Sequence, residues 1–177
     1  MNTNISHQNM VQALMKALYQ NNLPTITDFL NQGVDVNLPY NDNGWTPFMW
    51  VCKEFYETDV VKQFLAYGGN IHSRNKAGET PFMIAAKRRS NPDTLEVLLK
   101  EGSDINAQDN LGNTALMKVL QHPQAMMRLG VIDFLIKNGA DVDIKNNEGK
   151  DIWDYVDNHK GLNEFIICTL LERCAND

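Results

Sequence analysis

Gly44-Trp45-Thr46-Pro47-Phe48-Met49 returns as Gly78-Glu79-Thr80-Pro81-Phe82-Met83 and again as Gly112-Asn113-Thr114-Ala115-Leu116-Met117, with consecutive glycines 34 residues apart. A fainter fourth copy is Gly149-Lys150-Asp151-Ile152-Trp153. Each copy carries the chemistry of a helix start. A threonine hydroxyl caps free backbone amides, and a proline just after it sits where a missing N–H costs nothing. Thr46-Pro47 and Thr80-Pro81 are therefore predicted helix starts.

A second motif runs in step with the first: Gly33-Val34-Asp35-Val36-Asn37, Gly68-Gly69-Asn70-Ile71-His72, Gly102-Ser103-Asp104-Ile105-Asn106 and Gly139-Ala140-Asp141-Val142-Asp143. Apolar residues at helical spacing precede it: Phe29-Leu30, Val61 with Phe64-Leu65, Leu95 with Leu98-Leu99, and Ile132 with Leu135-Ile136. The glycine after each apolar pair is the expected left-handed helix stop, and the short stretch after it is expected to run outward and return as a hairpin. Asn91-Pro92-Asp93 reads as a further cap-then-proline start.

These residues resemble the ankyrin repeat, a unit of about 33 residues. The resemblance spans about residues 8 to 174. It implies a mainly α solenoid of stacked helix pairs with β-hairpin-like fingers, in one domain of five units at 8–40, 41–74, 75–108, 109–145 and 146–174. The first and last units read as caps, residues 1–7 as a frayed start and 175–177 as a tail. The chain departs from the family where its box carries histidine: Met49, Met83, Met117 and Asp154 stand there instead, and a flexible thioether is expected to fill the core. Trp153 replaces Phe48, Phe82 and Leu116, which assigns it to the core, whereas Trp50 is expected to be half-buried. Gly112 to Gly149 is three residues longer than the other spacings, which places an insertion within 122–130, between two helices. The stretch from Asn37 to Gly44 is also one residue longer than its counterpart, so a bulge is expected around Asn41 to Asn43.

A chain of 177 residues, 43% hydrophobic, is long enough to bury a substantial interior. Its formal net charge of -6 lacks the basic excess that nucleic acid or anionic lipid attracts, so neither is the expected partner. Three cysteines, Cys52, Cys168 and Cys174, have no paired spacing, which suits reduced thiols in a cytoplasm. No secretory leader and no run of roughly 20 apolar residues is recognised. The recurrent asparagines, among them Asn41, Asn43, Asn75, Asn110, Asn146 and Asn147, suit turns because asparagine tolerates left-handed backbone.

Chemistry is sparse. His7, His72, His122 and His159 are scattered without metal-ligand spacing, and the repeat period accounts for the glycines without a phosphate loop. Asp157, His159 and Cys168 can be drawn as a triad only on paper, since Cys168 lies in a stretch that reads as buried, Phe165-Ile166-Ile167 with Leu170-Leu171. No enzyme and no cofactor are expected. Lys87-Arg88-Arg89 is the one basic run, read as a solvated helix end or as a grip on an acidic segment.

The resemblance implies binding through a concave groove lined by finger tips and first helices. Carried over by position, the candidate surface is Asp42, Asn43, Trp45, Lys53 and Glu54; then Lys76, Glu79, Lys87 and Arg88; then Asn110, Leu111, Asn113, Gln121 and His122; and finally Asn147, Glu148, Lys150, Asn158 and His159. Trp45 either projects as an anchor or folds back on Trp50 or Tyr56. The expected function is binding one partner protein as a monomer, with an inhibitor or immunity protein blocking a cognate enzyme or toxin, or an effector engaging host proteins, as alternatives.

Overall fold

A computed structural model describes residues 2–55, 57–87, 92–156 and 161–176. The helices are α1 (Asn2–Tyr19), α2 (Leu23–Asn31), α3 (Pro47–Glu54), α4 (Thr58–Ala66), α5 (Pro81–Ala86), α6 (Asp93–Lys100), α7 (Ala115–Leu120), α8 (Leu129–Lys137), α9 (Trp153–Val156) and α10 (Leu162–Asn176). α1 begins at Asn2, inside the stretch 1–7 expected to fray.

The threonines act as the sequence predicts. The hydroxyls of Thr46, Thr80 and Thr114 accept from the amides of Met49 (3.1 Å), Met83 (3.3 Å) and Met117 (3.3 Å), and Pro47 and Pro81 occupy the first helical turn. Each such cap contributes about 1 kcal/mol. Helices as short as α5 and α7, six residues each, have no stability of their own, and packing must hold them. All six residues of α5 are buried, and α5 lies between α3 and α7. Consecutive helices pair, α1 with α2 through α9 with α10, and the pairs stack side by side. One apolar interior runs unbroken from Val11 to Ile166. Met49, Met83 and Met117 are almost fully buried, as expected of core filler. Trp153 is only half-buried and packs on the rim, while its neighbour Ile152 takes the fully buried place.

Four helix ends close with the bond pattern that follows a left-handed glycine: Val34, Gly69, Ser103 and Ala140 donate to the carbonyls of Phe29, Phe64, Leu98 and Leu135 at 2.9 to 3.2 Å. Pro92 departs from expectation. It is the capping residue itself rather than the first helical residue, and its carbonyl accepts from Glu96 (2.8 Å).

The fingers contain no strand among the described residues. They are tight turns built on one side-chain acceptor. Oδ1 of Asn41 accepts from the amides of Asn43 and Trp45, Asn75 from Ala77 and Glu79, Asp109 from Leu111 and Asn113, and Asn146 from Glu148 and Lys150, all at 2.9 to 3.1 Å. This corrects the sequence-based account of the asparagines. The side chains of Asn41, Asn75 and Asn146 template the turns they sit in, and the left-handed backbone is left to glycine; Asn21 is the one non-glycine with positive φ among the described residues. At Gly78 (φ +79°) an added Cβ would lie 2.6 Å from the amide nitrogen of Asn110, so φ and the closeness of the next finger both demand glycine. The extra residue of the first finger does not bulge its tip. It is absorbed at the base, where Tyr40 rather than Asn41 donates to the Trp45 carbonyl (2.9 Å).

The insertion within 122–130 forms a 3₁₀ turn, Ala125–Arg128, leading into α8. Ala125 and Arg128 are buried, and the Arg128 guanidinium donates to the Lys87 carbonyl of the preceding repeat.

Candidate partner-binding surface

Neighbouring fingers are tied in register. The amides of Lys76, Asn110 and Asn147 donate to the carbonyls of Asn43 (2.9 Å), Ala77 (3.0 Å) and Leu111 (3.0 Å). The side-chain amides of Asn110 and Asn147 add bonds to the carbonyls of Lys76 (2.8 Å) and Asn110 (3.0 Å). Deeper in, Asn37 donates to the Gly68 carbonyl and accepts from the Asn70 amide, both at 2.8 Å, and Asn106 does the same with Gly139 (3.2 Å) and Asp141 (2.8 Å). His72 holds the equivalent place in the repeat between them. Among the described residues its side chain makes no such tie, so that junction lacks the staple its neighbours have.

Between the second and third fingers the expected surface is largely interior. Glu79, assigned to the binding surface from sequence, is buried: its carboxylate meets Lys87 (2.7 Å), Lys118 (2.9 Å) and the Asn75 side-chain amide (2.9 Å). Lys118 also binds Asp109 at 2.6 Å, which makes a chain of alternating charge from Lys87 to Asp109. Burial alone would raise the Glu79 pKa, but the bonds from Lys87, Lys118 and Asn75 outweigh it and bring the group down to about 2. Lys118 is pushed the other way, to stay protonated above the ordinary lysine range: burial opposes this, and the carboxylates of Asp109 and Glu79 overcome it.

Asn113 is the second correction. It is 4% exposed, and its Oδ1 accepts from the side-chain amides of Gln121 and Asn146, both 3.0 Å away; Asn146 in turn reaches the Tyr155 hydroxyl (2.8 Å). Both corrections have one physical cause. The residue between the turn glycine and the capping threonine points back toward the helices, where a polar side chain can survive only with partners. Trp45 holds that place in the first finger. It is half-buried, with the Lys53 ammonium 5.7 Å from its ring centroid; the same ammonium lies 5.0 Å from Trp50, which is half-buried as expected. Lys53 also pairs with Glu54 (2.8 Å).

The remaining predicted residues divide clearly. Asp42, Asn43, Lys76, Asn110, Leu111, Asn147, Glu148 and Lys150 are exposed along one series of tips, with Leu111 showing 66% of its surface, and Gln121 is exposed at the end of α7. Glu148 and Lys150 pair at 2.7 Å. Lys87 is bound to Glu79, and His122 is a half-buried turn residue whose Nδ1 accepts from the Gln124 amide (3.1 Å). Arg88, Arg89, Tyr56, Asp157, Asn158 and His159 lie outside the described residues. Cys168 is exposed on α10 rather than buried, because Ile166 takes the inward position and Ile167 (48% exposed) and Cys168 follow on the outer side. Cys52 is fully buried, and burial pushes its thiol far above the ordinary range. Among the described residues no group of three or more histidine, cysteine or acidic side chains is placed to hold a metal ion.

Three features escaped the sequence reading: Lys118 as the central cation, Asp109 and Asn146 as turn templates with buried partners, and Tyr19 and Tyr40 beside Trp50. The templates had a visible signal, an Asn or Asp three residues before each turn glycine. Tyr19 had none, since it belongs to the first unit, which has no copy of the box. Its ring meets Trp50 edge to face at 4.7 Å.

No curated protein matches the chain. The family profile described as ankyrin repeats (3 copies) matches residues 14–109 and, in a second overlapping placement, 48–146. With capped helix pairs stacked on one interior and turn fingers tied in register, the chain belongs to the ankyrin-repeat family.

Proposed function

We propose that this chain holds one specific partner protein along its finger tips and the adjoining ends of its first helices. Ankyrin repeats generally serve as protein–protein interaction modules and typically carry no enzyme activity. The observation that carries the finer reading is the row of tips, whose backbones are locked to one another while Asp42, Lys76, Leu111, Glu148 and Lys150 face outward. Such a row is pre-organised, so binding spends little free energy on ordering it. Glu79 and Asn113 are removed from the proposed contact set because the stack itself uses them. Five units within 8–174 supply the scaffold in this reading.

A buried Cys52 and an exposed Cys168, both outside any disulfide, support a cytoplasmic setting, and the charge of -6 supports a protein rather than nucleic acid or lipid as partner. No helix of the described residues is long and apolar enough to cross a membrane. The protein is expected to act as a monomer. The test is chemical cross-linking and capture from native lysate with the wild type, Leu111→Glu, Trp45→Ala and the control Lys62→Ala. One species lost with both tip variants and kept with Lys62→Ala supports the proposal; an unchanged capture profile across all four rejects it.

A further inference from the structure

At the first helices' carbonyl ends, α1 and α3 stop side by side and leave a hollow of about 310 Å³. Tyr19 and Trp50 line it with the buried side chains of Leu18 and Phe55, and Glu54 and Glu57 stand at its exposed edge. The lining is thus apolar and aromatic below, anionic at the rim. α1 ends at Tyr19 and α3 at Glu54, so the negative ends of two helix dipoles meet in the same place. Nearby, burial first, then Tyr19 and the negative charge of Glu54, hold the Tyr40 phenol above its ordinary range. One cation already rests here: Lys53 lies over Trp50 and against Glu54. A single lysine against two carboxylates and two helix ends leaves the rim net negative.

We infer that this hollow is a socket for an arginine side chain of the partner protein, an inference that rests on the protein-binding reading above. Arginine fits better than lysine for three reasons. Its guanidinium is planar and stacks on aromatic rings, it sheds water more readily than an ammonium, and its fork of donors matches a carboxylate such as Glu57. A hollow of about 310 Å³ has room for one such side chain. The charge of the whole molecule draws such a segment in.

The experiment titrates the full chain with N-acetyl-arginine amide, following the indole N–H of Trp50 by NMR, beside N-acetyl-citrulline amide, which has nearly the same shape without the charge. Weak, saturable shifts centred on Trp50 are expected, with citrulline weaker by about tenfold. The double variant Glu54→Gln with Glu57→Gln, both exposed and so compatible with the fold, is expected to weaken arginine binding by about fivefold with an unchanged thermal midpoint. Absence of saturable shifts at Trp50, an equal response to citrulline, or unchanged binding by the double variant overturns the socket. Failure here with lysate capture still lost in Leu111→Glu overturns the socket alone. Binding of the arginine probe with no partner captured by any form instead overturns the protein-binding reading, and with it the partner's arginine as occupant, while the hollow's affinity for a guanidinium stands.

Discussion

The second and third fingers bury polar groups, whereas the first leaves them at the surface. In the former, the position after the turn glycine is Glu79 or Asn113, each enclosed by partners from the next repeat. In the latter it is Trp45, half-buried beside Lys53, with Trp50, Tyr19 and Glu54 around it still facing water. The same register position therefore serves cohesion in the middle of the stack and stays available near its start. The difference follows from neighbours: the middle fingers have a polar residue of the following repeat to bind, Lys118 for Glu79 and Asn146 for Asn113.

The contrast breaks most sharply at Lys118. Lys118→Ala leaves Glu79 and Asp109, whose side chains are 9% and 2% exposed, without their shared cation. A loss of about 3 kcal/mol in urea unfolding is expected, because a buried charge without its partner is costly. Acid does to Glu79 what the mutation does to Lys118. Its folded pKa of about 2 lies below the unfolded value of 4.5, so the network's stabilisation is complete above pH 4.5 and is lost as pH falls from there toward 2. Glu79→Gln is expected to flatten the stability profile across that window; an unaltered acid limb in thermal melts refutes the assignment.

Gly78→Ala comes next. It combines a positive φ with a Cβ 2.6 Å from the Asn110 backbone, and about 2 kcal/mol of destabilisation is expected. Thr80→Ala removes one helix cap at the same finger and is expected to cost about 1 kcal/mol, readable as a drop in thermal midpoint. An effect of Thr80→Ala as large as that of Lys118→Ala contradicts the view that the ion chain dominates this junction.

The period, the threonine caps, the methionine core and the glycine stops were legible because each is dictated by residues close in sequence, and repetition displays them several times over. What the sequence concealed depends on the next repeat. Glu79 looks like a surface acid until Lys118, 39 positions later, is placed 2.9 Å away. Asn113 looks like a tip residue until Asn146 turns toward it. Cys168 was misread because Ile166 and Ile167 look equivalent in sequence, and only packing decides which of them points inward. At Trp45 the partner seen among the described residues is a lysine on the following helix, which the sequence does not single out from its neighbours.

The smallest expected effect on stability is also the most telling about the first finger. Lys53 lies over two indole rings and beside Glu54, yet all of these contacts are open to water. A cation–π contact at an exposed site is worth about 0.5–1 kcal/mol, and an exposed ion pair adds little. Lys53→Ala is therefore expected to lower stability by under about 1 kcal/mol, while the fluorescence of Trp45 and Trp50 changes because the charge over their rings is gone. A loss near that of Lys118→Ala would mean that the first finger holds the stack together as strongly as the middle ones do. In that case Trp45 and its neighbours are structural, and the outward surface shrinks to the tips from Lys76 onward.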